Sequence, residues 1–362
     1  MLVVMSKLRP RPVRGAEWTP CVTVIITAFN EEQDIGAKLE NTLALDYPQA
    51  SLEVIVASDC SSDRTDDIAR QFGERGVRLH RQPKRLGKTA AQNAAVEKAS
   101  GEIIVFSDAT TQYNRDVLRT LMPNFADTTV GCVTGRLIYT DSSQSSVGHG
   151  TRSYWGYESF IRKHESDVCS MIGVCGCLYA VRRSAYQPLY HEACSDFVIA
   201  TRMVQQGLRA VYEPAAVCSE ETNVQSQKEL TTRVRIITQT FADLWRNRGM
   251  LNPFTSGFFA IELISHKVMR YLVPLFLILI LGCSAVLASR STLFAVVLVS
   301  QLGFYGAAGV SALLERSGLH IRLLAIPQYF VLGNLASMIA FYQFLRGERY
   351  VRWDPIRTNG TP

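Results

Sequence analysis

Three acidic residues in the first third of the chain stand one or two positions beyond an apolar run: Glu31, Asp59 and Asp108. A carboxylate accepts hydrogen bonds from N–H groups and binds divalent cations. Lys88 directly follows Gly87 at the start of a predicted helix, where an ammonium group and free backbone N–H groups suit a phosphate. A solvated lysine and chance loop polarity are the alternatives. Together these residue types favour a site for a phosphorylated ligand.

The segments that precede the acids are predicted strands of one sheet. Near-continuous apolar runs at 22–29, 52–58 and 102–107 are typical of strands that are covered on both faces, and a shorter strand is predicted at 77–81. Segments with helical spacing or helix-capping residues separate these runs. This alternation predicts βαβ units and a mostly parallel sheet. Ligands bind at the carboxyl ends of such strands, where the three acids fall.

Two common phosphate-binding sequences are absent. No G-x-G-x-x-G follows the first predicted strand, and no G-x-x-x-x-G-K-[ST] occurs in the chain. The phosphates of a bound nucleotide would therefore need a metal ion or cationic side chains, for which Lys88 is the candidate.

The last quarter of the chain is strongly apolar. The segments 271–288, 292–314 and 323–345 each approach or exceed the roughly 20 residues that a membrane helix needs. A buried core helix is the alternative, above all for the second segment, which carries Gln301. We predict a membrane region of about three helices at 271–346.

The orientation of this region is left open by the charges that flank it. The N-terminal apolar patch is too short for a secretory signal, so we expect the soluble part to stay in the cytoplasm. Lys267 and Arg270, just before the first span, agree with the positive-inside rule. Three crossings would put the arginine-rich tail on the opposite side, against that rule. Either one apolar segment lies in the interface, or residues 257–264 also enter the bilayer.

The cysteine content and the net charge argue against a zinc site and against a nucleic-acid-binding protein. The nine cysteines, an odd number, fit a reducing compartment, and Cys169, Cys175 and Cys177 lack the paired spacing of a zinc site. The net charge of +6 is modest and no dense basic face with aromatics is present, so we expect no nucleic-acid partner. The basic residues near the membrane suit anionic lipid.

An ordered set of motifs resembles glycosyltransferase family 2: TAFNEE, SDCSSDRT, RLGKTAAQNAA, GEIIVFSDA and SDFVIATRMVQQG, followed by the terminal apolar helices. Each motif alone is weak, but the ordered set covers nearly the whole chain. It is most similar to the membrane-bound, polysaccharide-making branch related to cellulose and hyaluronan synthases. The resemblance implies an α/β GT-A fold with a Rossmann-like, mostly parallel sheet. It also implies a nucleotide-sugar donor, usually UDP-linked, a divalent cation (Mg²⁺ or Mn²⁺) and inversion at the anomeric carbon.

The resemblance implies roles for single residues. Asp59 matches the carboxylate that hydrogen-bonds the nucleobase, and Ala28 and Glu31 fall in the motif that lies near the nucleoside. Asp108 matches the first acid of the Asp-x-Asp motif, beside the ribose and the metal. Asp196 matches the catalytic acid, which would act as the general base that takes the proton of the attacking hydroxyl.

The leaving nucleoside diphosphate requires positive charge nearby. We assign this side of the reaction to Lys88, to a metal at Asp108, and to Arg233 or Arg235. The two arginines align with the Gln-x-x-Arg-Trp element of processive enzymes. The alternative is that both arginines lie on the solvated face of a helix and have no role in the reaction.

The chain departs from the family pattern at several positions. Thr110 replaces the acid that usually ligates the metal, and a hydroxyl is a weaker ligand, so we expect donor binding with a weakened metal site. Ser58 and Ser195 stand where further acids are usual. Ile236 replaces a tryptophan that stacks on the acceptor sugar, which weakens the expectation of long-chain processivity.

We therefore predict five regions along the chain. They are a basic arm at 1–20, a GT-A domain at 21–250, an interfacial segment at 251–270, the membrane region at 271–346 and a basic tail at 347–362.

The predicted function is that of a membrane-anchored inverting glycosyltransferase whose catalytic domain faces the cytoplasm. It would move a sugar from a nucleotide sugar to a lipid-linked or growing saccharide in the synthesis of exopolysaccharide, capsule or another envelope glycan, alongside other polysaccharide-assembly proteins. Two alternatives stay open: a polyprenyl-phosphate glycosyltransferase, and an inactive donor-binding subunit that scaffolds a synthase complex.

Overall fold

The computed structural model describes residues 2–140, 146–221, 226–317, 319 and 321–351. Within them the strands are β1 (Val22–Ala28), β2 (Leu52–Ser58), β3 (Val77–Arg81), β4 (Ile103–Asp108), β5 (Gln112–Tyr113), β6 (Val130–Thr140), β7 (Leu178–Arg182) and β8 (Arg209–Glu221). The α-helices are α1 (Leu2–Leu8), α2 (Ile35–Leu43), α3 (Thr65–Gln71), α4 (Lys88–Val96), α5 (Val117–Leu121), α6 (Ser146–Val168), α7 (Ser195–Gln205), α8 (Ser226–Arg246), α9 (Pro253–Ser256), α10 (Phe258–Leu263), α11 (Met269–Leu287), α12 (Thr292–Arg316) and α13 (Arg322–Leu345).

The strands form one mixed sheet in the order β3-β2-β1-β4-β7-β6-β8-β5. The half made of β3, β2, β1 and β4 is entirely parallel. In the other half β7 runs antiparallel to both neighbours, β6 and β8 are parallel, and β5 is antiparallel to β8. Six of the eight strands thus run in one direction, which confirms the predicted α/β fold class.

The core lies on both faces of the sheet because successive side chains of a strand point to opposite sides. Every residue of β1 is buried. Val24 and Ile26 pack in a cluster that includes residues of α2, α3 and α5. Ile25 packs on the other face with residues of α4 and α7. Burying each of these large apolar side chains stabilises the domain by about 1.5–3 kcal/mol, which fixes the strand ends that carry the acids.

Three helices of the described ranges are long and apolar enough to cross a membrane: Phe258–Leu287, Thr292–Glu315 and Leu323–Leu345. The first joins α10 to α11 through a π-helical turn at Ile264–Val268. The helix α13 packs along α8, where its residues Ala336 and Ala340 meet Val234 and Ile237.

Candidate active site

The strand ends that carry the predicted acids lie level at one edge of the sheet. Ala28, the last residue of β1, is paired in register with Ser58, and the preceding Thr27 is paired with Asp108. Asp59 follows Ser58 directly, and its N–H donates to the carbonyl of Ala28 at 2.9 Å. The buried Ala28 therefore helps to fix Asp59 at this edge through its backbone.

Lys88 joins the end of β4 to the start of α4. As the first residue of that helix, it forms an ion pair with Asp108, which also accepts a hydrogen bond of 3.3 Å from the Thr27 hydroxyl. Burial alone would lower the pKa of Lys88, but the negative charges of Asp108 and Asp196 raise it above its ordinary value. One ammonium group thus pairs with Asp108 and is also influenced by the charge of Asp196.

Asp59 fixes the loop that carries Lys88. Its side chain is fully buried, and its two carboxylate oxygens accept hydrogen bonds from the N–H groups of Leu86 and Gly87, at 2.8 and 2.9 Å. Gly87 has φ of 97°, and a Cβ added there would lie 2.1 Å from the carbonyl oxygen of Val351. This glycine is required both by its conformation and by the close approach of the chain's C-terminal segment. The nucleobase contact assigned to Asp59 remains a prediction.

Glu31 holds the turn between β1 and α2. Its N–H donates to the Thr65 hydroxyl at 2.7 Å, and its carbonyl accepts from the N–H groups of Asp34 and Ile35. The Glu31 side chain is buried at the same edge of the sheet. Its predicted place near the nucleoside is therefore compatible with this position and remains a prediction.

Asp196 lies in the first turn of α7, where the helix dipole favours a negative charge. Its Oδ1 accepts a hydrogen bond from the Cys194 thiol at 2.9 Å. Burial, with the charge of Asp196, raises the pKa of Cys194 well above its ordinary value, so the thiol keeps its proton as the donor. On the other side, a Cβ added at Gly176 would come within 3.2 Å of Oδ2. The carboxylate is thus confined from two sides.

Asp243 of α8 supports the segment before Asp196. Its carboxylate accepts from the N–H of Cys194 at 2.9 Å and from the hydroxyl of Tyr190 at 2.5 Å. Burial, reinforced by the charge of Asp196, raises the pKa of Asp243 to about 7 against these hydrogen bonds. Asp243 could not be predicted from the spacing of the acids because it lies 47 positions beyond Asp196 on another helix.

Two further ionisable side chains near Asp108 were not predicted. The Thr110 hydroxyl donates to Glu220 Oε1 at 2.8 Å, and burial, followed by the charge of Asp108, raises the pKa of Glu220 to about 7. The ammonium group of Lys38 lies 3.4 Å from the centre of the Tyr113 ring and is fully buried. Burial lowers the pKa of Lys38 to about 7, although nearby acids oppose the shift.

The predicted cation fits the oxygen chemistry of this edge. Among the residues that the structure describes, no group of three or more His, Cys, Asp or Glu side chains could hold a metal. Asp108, Glu220 and the Thr110 hydroxyl nevertheless supply hard oxygen atoms. Mg²⁺ is commonly bound by one or two carboxylates together with substrate phosphates and water.

The two predicted arginines lie on α8. Arg233 pairs with Glu229 at 2.7 Å, contacts the Tyr329 hydroxyl, and lies over the rings of Tyr154 and Tyr329 at 5.1 and 4.6 Å. It therefore connects α8 to α13. Arg235 is half-buried two residues further on. The phosphate or acceptor role assigned to Arg233 and Arg235 remains a prediction.

The mixed α/β sheet defines the class of fold, which is the GT-A fold. Over 96% of this chain and 94% of the other, the structure matches the mannosyltransferase PcManGT from Pyrobaculum calidifontis, solved with GDP-Man and Mn²⁺, with a TM-score of 0.71 and 23% identity. Residues 23–189 match the model of Glycosyl transferase family 2. This match over residues 23–189 confirms the resemblance to family 2 that the motifs indicate.

Curated relatives are bacterial sugar transferases. An N-acetylglucosaminyltransferase of Rhizobium meliloti (strain 1021) is 26% identical over 302 residues, which are 74% of this chain and 70% of that protein. A poly-beta-1,6-N-acetyl-D-glucosamine synthase of Staphylococcus aureus (strain COL) is 24% identical over 252 residues, 68% of this chain. The match spans only 57% of the staphylococcal protein.

Proposed function

We propose that the chain is a membrane-anchored, inverting glycosyltransferase that uses a UDP-sugar. The observation that carries the proposal is the ion pair of Lys88 with Asp108 at the carboxyl ends of the parallel strands, where the charge of Asp196 also acts on Lys88. The relatives named for N-acetylglucosamine transfer favour an N-acetylhexosamine donor and a lipid-linked or growing saccharide acceptor, in the synthesis of an envelope glycan.

Each step of the reaction then has a group to perform it. Asp196 accepts the proton of the acceptor hydroxyl while that oxygen attacks the anomeric carbon, and the bond from this carbon to the diphosphate oxygen breaks on the opposite face. Lys88 stabilises the negative charge that develops on the leaving diphosphate. A divalent cation, when bound at Asp108, would neutralise more of that charge. Cys194 keeps the carboxylate of Asp196 in position.

We further propose that α11 and α12 cross the membrane as a hairpin and that α13 lies along its surface. The support comes from contacts at both ends of α13 with α8: Gln328 Nε2 donates to the Ser226 hydroxyl at 3.0 Å, and the Thr238 hydroxyl donates to Gln343 at 3.2 Å. A helix that contacts the catalytic part along this length cannot cross to the opposite side of the membrane. The predicted region 271–346 would then contain two crossings.

The contacts of Tyr350 and Val351 support the same topology. The carbonyl of Tyr350 accepts a hydrogen bond of 2.7 Å from Gln239 of α8, and Val351 lies against Gly87. Residues 350 and 351 therefore lie on the side of the catalytic domain, and we propose from the positive-inside rule that this side is the cytoplasm. With two crossings the conflict between that rule and the tail arginines disappears.

The activity is tested with the full chain purified in detergent. UDP-N-acetylhexosamines, other UDP-sugars and GDP-mannose are screened with Mn²⁺ for thermal stabilisation, since a ligand stabilises the state that it binds. Release of UDP is then measured with saccharide and polyprenyl-phosphate acceptors, for the wild type and Asp196→Asn. We expect a UDP-sugar to stabilise both proteins and only the wild type to turn it over. Stabilisation without turnover in the wild type would indicate a scaffold, and full activity of Asp196→Asn on polyprenyl phosphate would favour the other enzyme class.

A further inference from the structure

Glu220 is the penultimate residue of β8, which is separated from β4 in the sheet by β7 and β6. It is paired in register with Tyr139 of β6, and the residue before it, Ser219, is paired with Gln112 of β5. Because side chains alternate along a strand, Glu220 shares the face of Cys218, which is buried, whereas the next residue, Glu221, is exposed. The carboxylate of Glu220 is thereby turned toward the segment that follows Asp108.

The contact with this segment is specific. Thr110, two positions after Asp108, donates its hydroxyl hydrogen to Oε1 of Glu220 at 2.8 Å. Thr110 is the position at which the family pattern would have a second acid. The threonine thus connects the acid of β4 to an acid of β8, and within the described ranges the other oxygen of Glu220, Oε2, accepts no hydrogen bond.

The ammonium groups of Lys88 and Lys38 act electrostatically on Glu220, but neither forms an ion pair with it in the part of the chain that the structure describes. Lys88 pairs with Asp108, while the carboxylate of Glu220 forms no ion pair with any residue that the structure describes. The negative charge of Asp108 disfavours the ionised form of Glu220, and a divalent cation shared between the two carboxylates would relieve this repulsion.

We propose that Glu220 supplies the second carboxylate ligand of the divalent cation, in place of the acid missing at position 110, and that Thr110 is the residue that positions it. This inference rests on the proposed function for the identity of the third partner, the diphosphate of the donor. Two carboxylates and phosphate oxygens, completed by water, form the usual environment of Mg²⁺ and Mn²⁺ in nucleotide sites. The cation site would therefore take its second carboxylate from β8 instead of from the segment that follows β4.

The test is the affinity for Mn²⁺, measured by the electron paramagnetic resonance signal of the free ion. The full chain in detergent is titrated with Mn²⁺, alone and with saturating UDP, for the wild type, Glu220→Gln, Thr110→Val and Asp108→Asn. Glu221→Gln is the matched control, since it removes a neighbouring carboxylate on the exposed face. UDP binding in EDTA and the melting temperature are measured in parallel to establish that each variant is folded.

We expect Glu220→Gln to weaken Mn²⁺ binding at least about tenfold, Thr110→Val by a smaller factor, and Glu221→Gln by less than about twofold. UDP binding in EDTA should not change in Glu220→Gln. Mn²⁺ affinity in Glu220→Gln within about twofold of the wild type, together with a large loss in Asp108→Asn, would overturn the inference. If Glu220→Gln does not fold, unchanged Mn²⁺ affinity in Thr110→Val overturns it instead.

The inference and the proposed function can fail separately. A wild-type protein that transfers sugar while Glu220→Gln binds Mn²⁺ normally would refute only the role of Glu220. A wild-type protein that binds Mn²⁺ through Glu220 but turns over no nucleotide sugar would refute the enzymatic function and leave the cation site in place.

Discussion

The substitution Asp59→Asn tests how the strand ends hold Lys88. In the wild type both carboxylate oxygens of the fully buried Asp59 accept backbone N–H groups of the loop that ends at Lys88. An asparagine keeps one acceptor and turns an amide N–H₂ toward the second N–H group. The loss of one charge-assisted hydrogen bond costs about 1.5–3 kcal/mol, and the unsatisfied buried donor costs about 1–3 kcal/mol more. We expect a total near 3–5 kcal/mol.

We expect this loss of free energy to affect the local opening of residues 82–88, which should become easier, rather than the unfolding of the whole domain. A loss of about 3 kcal/mol corresponds to roughly hundredfold faster amide exchange, since each 1.4 kcal/mol is a factor of ten. Hydrogen–deuterium exchange with mass spectrometry measures this in the peptide that covers the loop. Asp67→Asn is the control, because its carboxylate is 69% exposed and pairs only at the surface with Arg70. Unchanged exchange of the loop in Asp59→Asn, with UDP binding abolished, would refute this reasoning and favour direct contact of Asp59 with the nucleotide.

Four other predictions concern the base, its support and the membrane. Asp196→Asn should lower kcat by about 10²–10⁴ while UDP binding persists; loss of binding would contradict its role as base. Gly176→Ala should lower kcat about tenfold with little change in KM, because the added methyl crowds Asp196. The raised pKa of Asp243, about 7, means that its ionisation opposes folding, so wild-type stability relative to Asp243→Asn should fall from pH 4 to pH 7 by up to about 4 kcal/mol. Melting temperatures that keep a constant difference across this range would refute it. A C-terminal fusion to green fluorescent protein should fluoresce and one to alkaline phosphatase should be inactive, whereas alkaline phosphatase inserted at residues 288–291 should be active; the opposite pattern would contradict two crossings.

The parallel half of the sheet was predictable because its signal is local. Continuous apolar runs that end in polar residues gave β1, β2 and β4, and their parallel pairing placed Asp59 and Asp108 at one edge. The pairing of β8 with β6 joins residues about 80 positions apart, as in the register of Tyr139 with Glu220, and no local pattern reports it. Glu220 therefore could not be found from the spacing of the acids.

The burial of Lys38, in contrast, could be predicted from the spacing of residues along α2. On α2 it falls three residues after Ile35 and four before Thr42, so it shares the buried face of an amphipathic helix. A lysine on such a face has to be accommodated by aromatic or acidic partners, here the ring of Tyr113. Which partners it meets depends on the tertiary packing and could not be predicted.

The proposal of two crossings implies that mean hydropathy overstates the number of membrane spans by one, for a similar reason. The mean hydropathy of α13 resembles that of a crossing helix, but its buried residues follow a helical period that includes Gln328, Leu332, Ala336 and Ala340. A stripe of small and polar residues indicates a helix that packs against protein on one side. We therefore propose that the period, rather than the mean, distinguishes α13 from α11 and α12.

The most direct test of the account is an experimental structure of the full chain with UDP and Mn²⁺. We expect the diphosphate within about 4 Å of the Lys88 ammonium group. The cation should lie at Asp108, and the carboxylate of Asp196 should face the space beyond the terminal phosphate, where the sugar would be. A nucleotide bound away from Lys88, or Asp196 separated from it by packed protein, would contradict the claim that these residues form one catalytic site.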